Sequence, residues 1–134
     1  MTSLKGKVCL ITGASRGIGA AIAIRFASLG AKLALTGRDF AALEKTKQLC
    51  VEKGLAENEV FLSVGDLAVD ADLKRVFNEC TSYYNGTLDV LVNNAGIVTR
   101  GSVLNTSIET FDKTMNINTR PLFYLTHLIW LVTE

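Results

Sequence analysis

The chain has 134 residues, of which 49% are hydrophobic and 20% are charged, and its formal net charge at pH 7 is +1. This length fits a single domain over residues 1–134, and this composition excludes a disordered segment. The near-neutral charge gives no electrostatic basis for a nucleic-acid partner or an acidic membrane surface.

Cysteine usage and the apolar runs favour a cytoplasmic protein without a metal site. Cys9, Cys50 and Cys80 are scattered and include no C-x-x-C pair, so we expect buried free thiols rather than disulfides or zinc ligands. The first residues lead directly into an apolar run at Val8, which leaves no room for a signal peptide. The longest uncharged apolar run, 121–132, is shorter than the about 20 residues that cross a bilayer.

Short apolar runs alternate with segments of helical spacing along the chain. The runs are rich in Val, Ile and Leu, which is typical of strands buried on both faces of a parallel sheet. They cover residues 7–12, 32–36, 60–64 and 88–93. This alternation predicts right-handed crossovers and one doubly wound α/β domain with helices on both faces of the sheet.

Two of the intervening segments have clear helical periodicity. In the first, apolar residues recur every three or four positions and Gly30 is expected to end the helix. Its apolar stripe consists of Ile18, Ile22, Phe26 and Leu29. In the second, the stripe consists of Leu73, Val76, Phe77, Cys80 and Tyr84.

The last helix has its own start signal and one polar interruption. Residues 106–109, T-S-I-E, fit a capping box that begins at Thr106. The apolar stripe that follows is Phe111, Met115, Leu122, Leu125, Ile129 and Val132. Asn118 lies midway along it, and spacing alone leaves open a hydrogen-bonded core amide or a functional one. Pro121 predicts a kink beside Asn118 because it lacks an N–H and crowds the carbonyl one turn earlier.

Residues 12–19, T-G-A-S-R-G-I-G, join the first strand to the first helix. Glycines let such a turn approach a ligand closely, and the helix N-terminus that follows suits a pyrophosphate. The spacing differs from the G-x-G-x-x-G fingerprint, yet its place between strand and helix predicts a dinucleotide site. The candidate cofactor-binding residues in this loop are Gly13, Ser15, Arg16, Gly17, Ile18 and Gly19.

With V-N-N-A-G at residues 92–96, after the fourth strand, the glycine loop resembles that of the short-chain dehydrogenase/reductase family. The resemblance covers essentially the whole chain. It implies a Rossmann-like sheet with strand order 3-2-1-4 and hydride transfer between a nicotinamide and a carbonyl or alcohol carbon, with 3-oxoacyl or small xenobiotic carbonyls as candidate substrates. It also implies that Asn94, Ala95 and Gly96 lie under the adenosine ribose and help brace the sheet.

The end of the second strand bears on the choice between NADP(H) and NAD(H). A carboxylate there would bind the ribose 2′-hydroxyl of NAD and repel a 2′-phosphate. The sequence has Gly37 at the position where NAD-using relatives usually have Asp, and Arg38 follows. Charged hydrogen bonds of roughly 1.5–3 kcal/mol each from Arg38 and Arg16 favour NADP(H), unless both arginines are merely solvated. The Asp39 carboxylate complicates this preference, but it fits more naturally as the N-cap of the next helix.

Two further positions follow from the resemblance and from turn chemistry. Asp66 and Leu67 match the family position that contacts the adenine amino group, although an Asp after a strand also bonds its own turn. His127, the one histidine, is expected on a helix surface without a catalytic role.

Asn118 matches the Asn of the family's catalytic set by its place in N-T-R-P-L-F, which favours the functional alternative. The other members are a Ser and a Tyr followed four residues later by Lys. The tyrosines here have Thr87, Leu88 and Leu128 at that spacing, so the motif is absent. We therefore expect the chain to be truncated relative to the family, with these groups beyond residue 134, and to be inactive by itself.

Three hypotheses follow. The first is the cofactor-binding half of an NADP(H)-dependent oxidoreductase, which would meet a carbonyl or alcohol substrate only in a full-length form. The second is a non-catalytic nucleotide-binding or subunit-interaction module. The open apolar edge of 88–93 and the last helix, which in the family lines a subunit contact, would then pair it with another copy or a longer relative. The third is a chain too unstable to fold.

Overall fold

The computed structural model of the protein describes residues 3–133. Strands and helices alternate through this range, and a short 3₁₀ turn, Glu57–Glu59, precedes the third strand. The strands are β1 (Val8–Ile11), β2 (Lys32–Gly37), β3 (Val60–Val64) and β4 (Val90–Val92). The helices are α1 (Gly17–Ser28), α2 (Phe40–Glu52), α3 (Asp70–Tyr83), α4 (Ile108–Asn118) and α5 (Arg120–Thr133).

The four strands form one parallel sheet in the order β3-β2-β1-β4. In register, Leu10 of β1 lies between Ala34 of β2 and Leu91 of β4. This is the Rossmann-like, doubly wound arrangement that the sequence predicted. The order reverses direction between β1 and β4, which makes their carboxyl ends the topological switch point of the sheet.

The two central strands carry the core, because side chains that alternate along them are covered on both faces. On one face Ile11, Leu33 and Leu35 pack with α1 and α2 residues. On the other face Leu10 and Ala34 pack with residues of α3. The apolar runs of β1 and β2 are thus explained by burial from both sides.

Helix α1 packs on the sheet through small side chains rather than through the expected stripe. Its buried residues are Gly19, Ala23 and Ala27, whereas Ile18 is 73% exposed. Gly30 follows the helix with a φ of +84°, as its expected role required. The large side chains flank the contact because a glycine–alanine face lets the helix axis come closer to the strands. In α3, by contrast, the predicted stripe is the buried face from Leu73 to Cys80.

The last helix differs from expectation at its start and agrees with it in the middle. The N-cap is Ser107, whose hydroxyl accepts from the Thr110 N–H at 3.1 Å, so the expected cap at Thr106 is wrong. The Thr106 hydroxyl instead donates to the Ser102 carbonyl at 2.8 Å. As predicted, the helix is interrupted beside Asn118, where Thr119 separates α4 from α5.

Much of the apolar surface of α4, α5 and the preceding loop is exposed. Of the expected stripe, Leu125 is buried against α3 residues in a small cluster. Phe111, Met115, Leu122 and Val132 are exposed. No helix within residues 3–133 is long and apolar enough to cross a membrane.

The three thiols are free and buried, as expected. Burial raises the pKa of Cys9 and of Cys50 from 9.0 to about 11. Burial, followed by the nearby Glu79 carboxylate, raises the pKa of Cys80 to about 12. These side chains therefore remain neutral at physiological pH and act as small apolar core residues.

Candidate functional site: a cleft at the carboxyl ends of the strands

The loops that follow the four strands meet in a cleft of about 360 Å³ at the carboxyl edge of the sheet. Ten of the twelve residues predicted to bind a cofactor line it. They are Gly13, Ser15, Arg16, Ile18, Arg38, Asp66, Leu67, Asn94, Ala95 and Gly96. Gly17 and Gly19 lie in the same loop without lining the cleft.

Glycine is favoured at each of the three loop positions for a different structural reason. Gly13 has a φ of +62°, and a Cβ there would lie 2.9 Å from the Ala95 Cα. Gly17 has a φ of +58° but open space around it, so conformation alone favours glycine there. A Cβ at Gly19 would overlap the Gly13 carbonyl oxygen, which explains how α1 begins so close to β1. The loop is therefore bent by two glycines and packed by the third.

The start of α1 is suited to an anion. Its N-cap, Arg16, makes no side-chain capping bond, and the first turn carries no acidic residue. The first-turn amides thus keep their hydrogen-bonding capacity and the positive end of the helix dipole is not offset.

Thr12 and Asn94 join the glycine loop to the segment after β4. The Thr12 hydroxyl accepts from the N–H groups of Asn94 and Ala95, both at 2.9 Å. The Asn94 side-chain amide donates to the carbonyls of Thr12 and Gly13 at 3.1 and 3.2 Å. This network braces the switch point of the sheet. The bracing was expected of Asn94, whereas the part of Thr12 was missed because its partners lie about eighty residues away in sequence.

Asp66 makes the turn bond that one of its two alternatives predicted, and it also lines the cleft. Its Oδ1 accepts from the Ala68 N–H at 3.0 Å, as in an ordinary turn after a strand. Its own N–H donates to Asp72 Oδ2 at 2.9 Å, which fixes the loop to the start of α3. Asp66 and Leu67 nevertheless line the cleft. The turn bond thus occupies one carboxylate oxygen and holds the side chain at the cleft wall.

A second cavity, of about 430 Å³, is lined by Ser15, Arg16, Arg38 and Asp39, three of which also line the cleft. Asp39 is the N-cap of α2, as expected, and its Oδ1 accepts from the Ala42 N–H at 3.1 Å. Its Oδ2 accepts from Arg16 Nη2 at 3.3 Å. Arg38 forms no ion pair within the described part of the chain. Two arginines and one carboxylate therefore share this cavity.

The Asn118 side chain is half-buried and fully engaged with the segment after β4. Its Oδ1 accepts from the Ile97 N–H at 2.7 Å, and its Nδ2 donates to the Ile97 carbonyl at 2.8 Å. The amide thus bonds both backbone groups of Ile97, as a neighbouring strand would, and holds α4 against the cleft. Ile117 of the same helix contributes to the cleft lining. Its hydrogen bonding is satisfied, as the structural alternative required.

Several cleft residues were not among those predicted to bind a cofactor. They are Thr36, Gly37, Gly65, Ile97 and Ile117. Thr36 and Gly37 end β2, Gly65 directly follows β3 and Ile97 directly follows the N-N-A-G motif, so their place in the chain was a usable signal. Nothing in the sequence pointed to Ile117. Thr36 is buried, and its hydroxyl has no hydrogen-bond partner among residues 3–133.

No tyrosine within residues 3–133 lines the cleft. The hydroxyls of Tyr83 and Tyr84 donate to the carbonyls of Asn58 and Leu33, at 2.7 and 2.6 Å, and line a different cavity. Burial, with a further contribution from Tyr83, raises the pKa of Tyr84. His127 is exposed on α5 and stacks on Phe123, as expected of a surface histidine. Residues 3–133 contain no group of three or more His, Cys, Asp or Glu side chains placed to hold a metal.

Comparisons with known proteins agree with this geometry. Residues 7–131 match the family model of short chain dehydrogenases. An uncharacterized oxidoreductase of Thermotoga maritima is 41% identical over 92% of this chain and 47% of its own length. A glucose dehydrogenase of Caenorhabditis elegans, solved without cofactor, superposes with a TM-score of 0.84 at 39% identity, over 96% of this chain and 50% of that one.

A second Caenorhabditis elegans structure, a short-chain dehydrogenase/reductase of unknown function solved with cofactor, gives a TM-score of 0.87 at 32% identity, over 94% of this chain and 48% of that one. The chain thus spans about half the length of the relatives that it matches. Because the family model covers nearly all of it, the chain belongs to the short-chain dehydrogenase family.

Proposed function

We propose that the cleft binds NADP(H) in preference to NAD(H), as the cofactor-binding part of an oxidoreductase that interconverts a carbonyl and an alcohol. The family uses nicotinamide dinucleotides, whose chemistry when bound is hydride transfer. The observation that supports the proposal is the joining of the glycine loop to Asn94 and Ala95 at the switch point of the sheet. Of the candidate substrates, 3-oxoacyl and small xenobiotic carbonyls come from the resemblance alone.

The residues present fit such a cofactor. The absence of Cβ atoms at Gly13 and Gly17 and the uncapped start of α1 suit a pyrophosphate. Ser15, Ile18 and Gly19 complete this end of the proposed site. Asn94, Ala95 and Gly96 would then support the adenosine ribose. Asp66 and Leu67 would line the adenine.

The preference for NADP(H) rests on the end of β2. Gly37 offers no carboxylate for a ribose 2′-hydroxyl, and a Cβ there would lie 3.3 Å from the Ser15 side chain. Arg38 is exposed and lines the cleft. Arg16 reaches the same region from the glycine loop. Two cations and no carboxylate at position 37 favour a 2′-phosphate over a hydroxyl.

The test compares Arg38→Ala with Arg100→Ala, a matched loss of one exposed arginine that does not line the cleft. Binding of NADPH and NADH is measured by titration calorimetry on the purified protein. We expect Arg38→Ala to weaken NADPH binding about ten- to a hundredfold and NADH binding far less, as removal of a charged hydrogen bond predicts. Arg100→Ala should change neither. Equal losses for both nucleotides would contradict the preference.

For catalysis, we propose that Asn118 supports the proton-transfer machinery by holding α4 and the Ile97 segment at the cleft. The described tyrosines do not line the cleft, so residues 1–134 supply no proton donor of the family type there. A protein limited to these residues is therefore expected to bind NADPH without reducing carbonyl compounds. Reduction of a broad aldehyde and ketone panel by that protein, above the rate of a heat-denatured sample, would refute this.

A second candidate function is subunit interaction through the last helix. The observation that favours it is the exposed apolar face of α5, which includes Leu122, Phe123 and Trp130. Exposed patches of this kind mark contact surfaces. Sedimentation analysis of the wild type and of Phe123→Ser, with and without a longer relative, tests it. A monomer in every mixture would remove this candidate.

The expected cytoplasmic location is also a proposal. Free, buried Cys9, Cys50 and Cys80 support a reducing compartment. Fractionation of source cells with an antibody against the chain would test it, and recovery in an oxidising compartment would contradict it.

A further inference from the structure

We propose that Asp39 is a specificity-determining residue that competes with the 2′-phosphate of NADP(H) for Arg16. Its carboxylate would make the preference for NADP(H) over NAD(H) smaller than Arg16 and Arg38 alone would produce. This inference rests on the proposed function. It identifies a carboxylate that opposes binding of the 2′-phosphate. The sequence raised Asp39 as a complication for this preference but favoured its role as the cap of α2.

The two oxygens of Asp39 do different things. Oδ1 accepts the Ala42 N–H at 3.1 Å and so caps α2. Oδ2 accepts from Arg16 Nη2 at 3.3 Å. The capping bond therefore fixes the carboxylate beside the guanidinium that is proposed to bind the phosphate. The cap does not depend on the charge, because a neutral Asn or Ser caps a helix as well as Asp does.

The surroundings make this pairing a competition rather than a permanent bond. Ser15, Arg16, Arg38 and Asp39 line one cavity that adjoins the cleft. A phosphate placed there brings negative charge close to the Asp39 carboxylate and draws on the same donors of Arg16. The Arg16 and Asp39 side chains are 75% and 50% exposed, so their pairing is weak and screened by salt. The phosphate can therefore displace Asp39 from Arg16, at a cost in affinity.

NAD(H) does not meet this opposition, since its ribose carries a hydroxyl at the same position. A hydroxyl neither repels the Asp39 carboxylate nor requires Arg16 to change partners. Removing the charge at residue 39 is therefore expected to improve NADPH binding and to leave NADH binding nearly unchanged. The sign of the effect is informative: if Asp39 instead positioned Arg16 for the phosphate, removal of its charge would weaken NADPH binding.

The experiment uses Asp39→Asn, with Asp39→Ser as a second neutral cap and Glu52→Gln as the control. Glu52 is exposed at the opposite end of α2, so the control removes the same charge far from the cavity. Dissociation constants are measured for NADPH, NADH and 2′,5′-ADP, which carries the 2′-phosphate without a nicotinamide. Circular dichroism during heating verifies that α2 remains capped in each variant.

We expect Asp39→Asn and Asp39→Ser to tighten NADPH and 2′,5′-ADP binding about three- to tenfold, in line with loss of a weak competing ion pair and a repulsion. NADH binding should change less than about twofold, and Glu52→Gln should change none of the three. Unchanged or weaker NADPH binding, or equal gains for NADPH and NADH, would overturn the inference while leaving the proposed function intact. A wild-type protein that binds neither NADPH nor 2′,5′-ADP would overturn both.

Discussion

The β1–α1–β2 region and the α4–α5 region contain similar apolar side chains but differ in what covers them. Leu10, Leu33 and Leu35 of the central strands are fully buried. In the loop that leads into α4, Leu104 is 98% exposed. Of the apolar stripe predicted for the last helix, Leu125 is the member that is buried. Apolar periodicity therefore establishes that a helix or strand has an apolar face, but not that the described chain covers that face.

The α4–α5 region is nevertheless attached to the rest of the fold at a few points. Leu125 packs with Leu73 and Phe77 of α3, and the Arg120 guanidinium bonds the Asp70 carboxylate. That pairing lowers the pKa of Asp70. At the cleft, Asn118 bonds the Ile97 backbone. Two side-chain contacts, Asn93 with Thr126 and Thr99 with Thr114, add to these. The α4–α5 region is thus attached by a small apolar cluster and a few polar contacts.

The largest effect on stability is expected when a buried side chain is shortened, in comparison with an exposed one. Leu33→Ala removes a fully buried side chain from β2, whereas Leu104→Ala removes one that is 98% exposed. We expect Leu33→Ala to lower the free energy of unfolding by about 3 kcal/mol, because it loses apolar burial and leaves a cavity. Leu104→Ala should change it by less than about 0.5 kcal/mol. Urea unfolding followed by circular dichroism measures both free energies. Similar losses for the two variants would contradict the difference in burial between the two regions.

A smaller effect is expected at the polar link between α4 and the segment after β4. Asn118→Ala removes both bonds to the half-buried Ile97 backbone and should cost about 1–2 kcal/mol. It should also speed amide exchange at Ile97. Asn116→Ala, an exposed change on the same helix, is the control and should have little effect. If both variants behaved alike, the link would contribute nothing to the attachment of α4.

The effect of pH is absent near neutrality and involves the buried region. The three thiol pKa values are raised in the folded state, from 9.0 to about 11 for Cys9 and Cys50 and to about 12 for Cys80. Above pH 9 the unfolded thiols ionise while the folded ones stay protonated, so the unfolded state binds fewer protons and stability falls with rising pH. This loss should continue until about pH 11–12, where the folded thiols also ionise.

The measurement is the melting temperature between pH 7 and pH 11 for the wild type and for Cys50→Ala. The variant is expected to start lower, because it leaves a small cavity, and to decline less steeply above pH 9. Parallel curves would show that Cys50 does not contribute to the alkaline loss.

The sequence predicted the strands and the cleft far better than it predicted packing. The run at 60–64 became β3 without a shift, since an apolar run between polar turns leaves few alternatives. The α1 stripe was a poor guide to burial because the sheet accepts Gly19 and Ala23 instead. The strand order came from the family resemblance, as periodicity does not specify which strands are neighbours.

Specific side-chain contacts explain most of what was missed. Thr106 and Ser107 are both good caps, and only the Thr106 bond to Ser102 shows why the second is used. The pairing of Arg16 with Asp39 spans 23 residues and depends on how the glycine loop meets α2. No local pattern contains that information.

The proposed function places the cofactor in the cleft and not on the exposed C-terminal face. Hydrogen–deuterium exchange of the protein with and without saturating NADPH tests it most directly. We expect slower exchange in residues 12–19, 36–38, 65–67 and 94–97, which surround the cleft, and little change in residues 120–133. Protection confined to 120–133, or absent from the glycine loop, would contradict it.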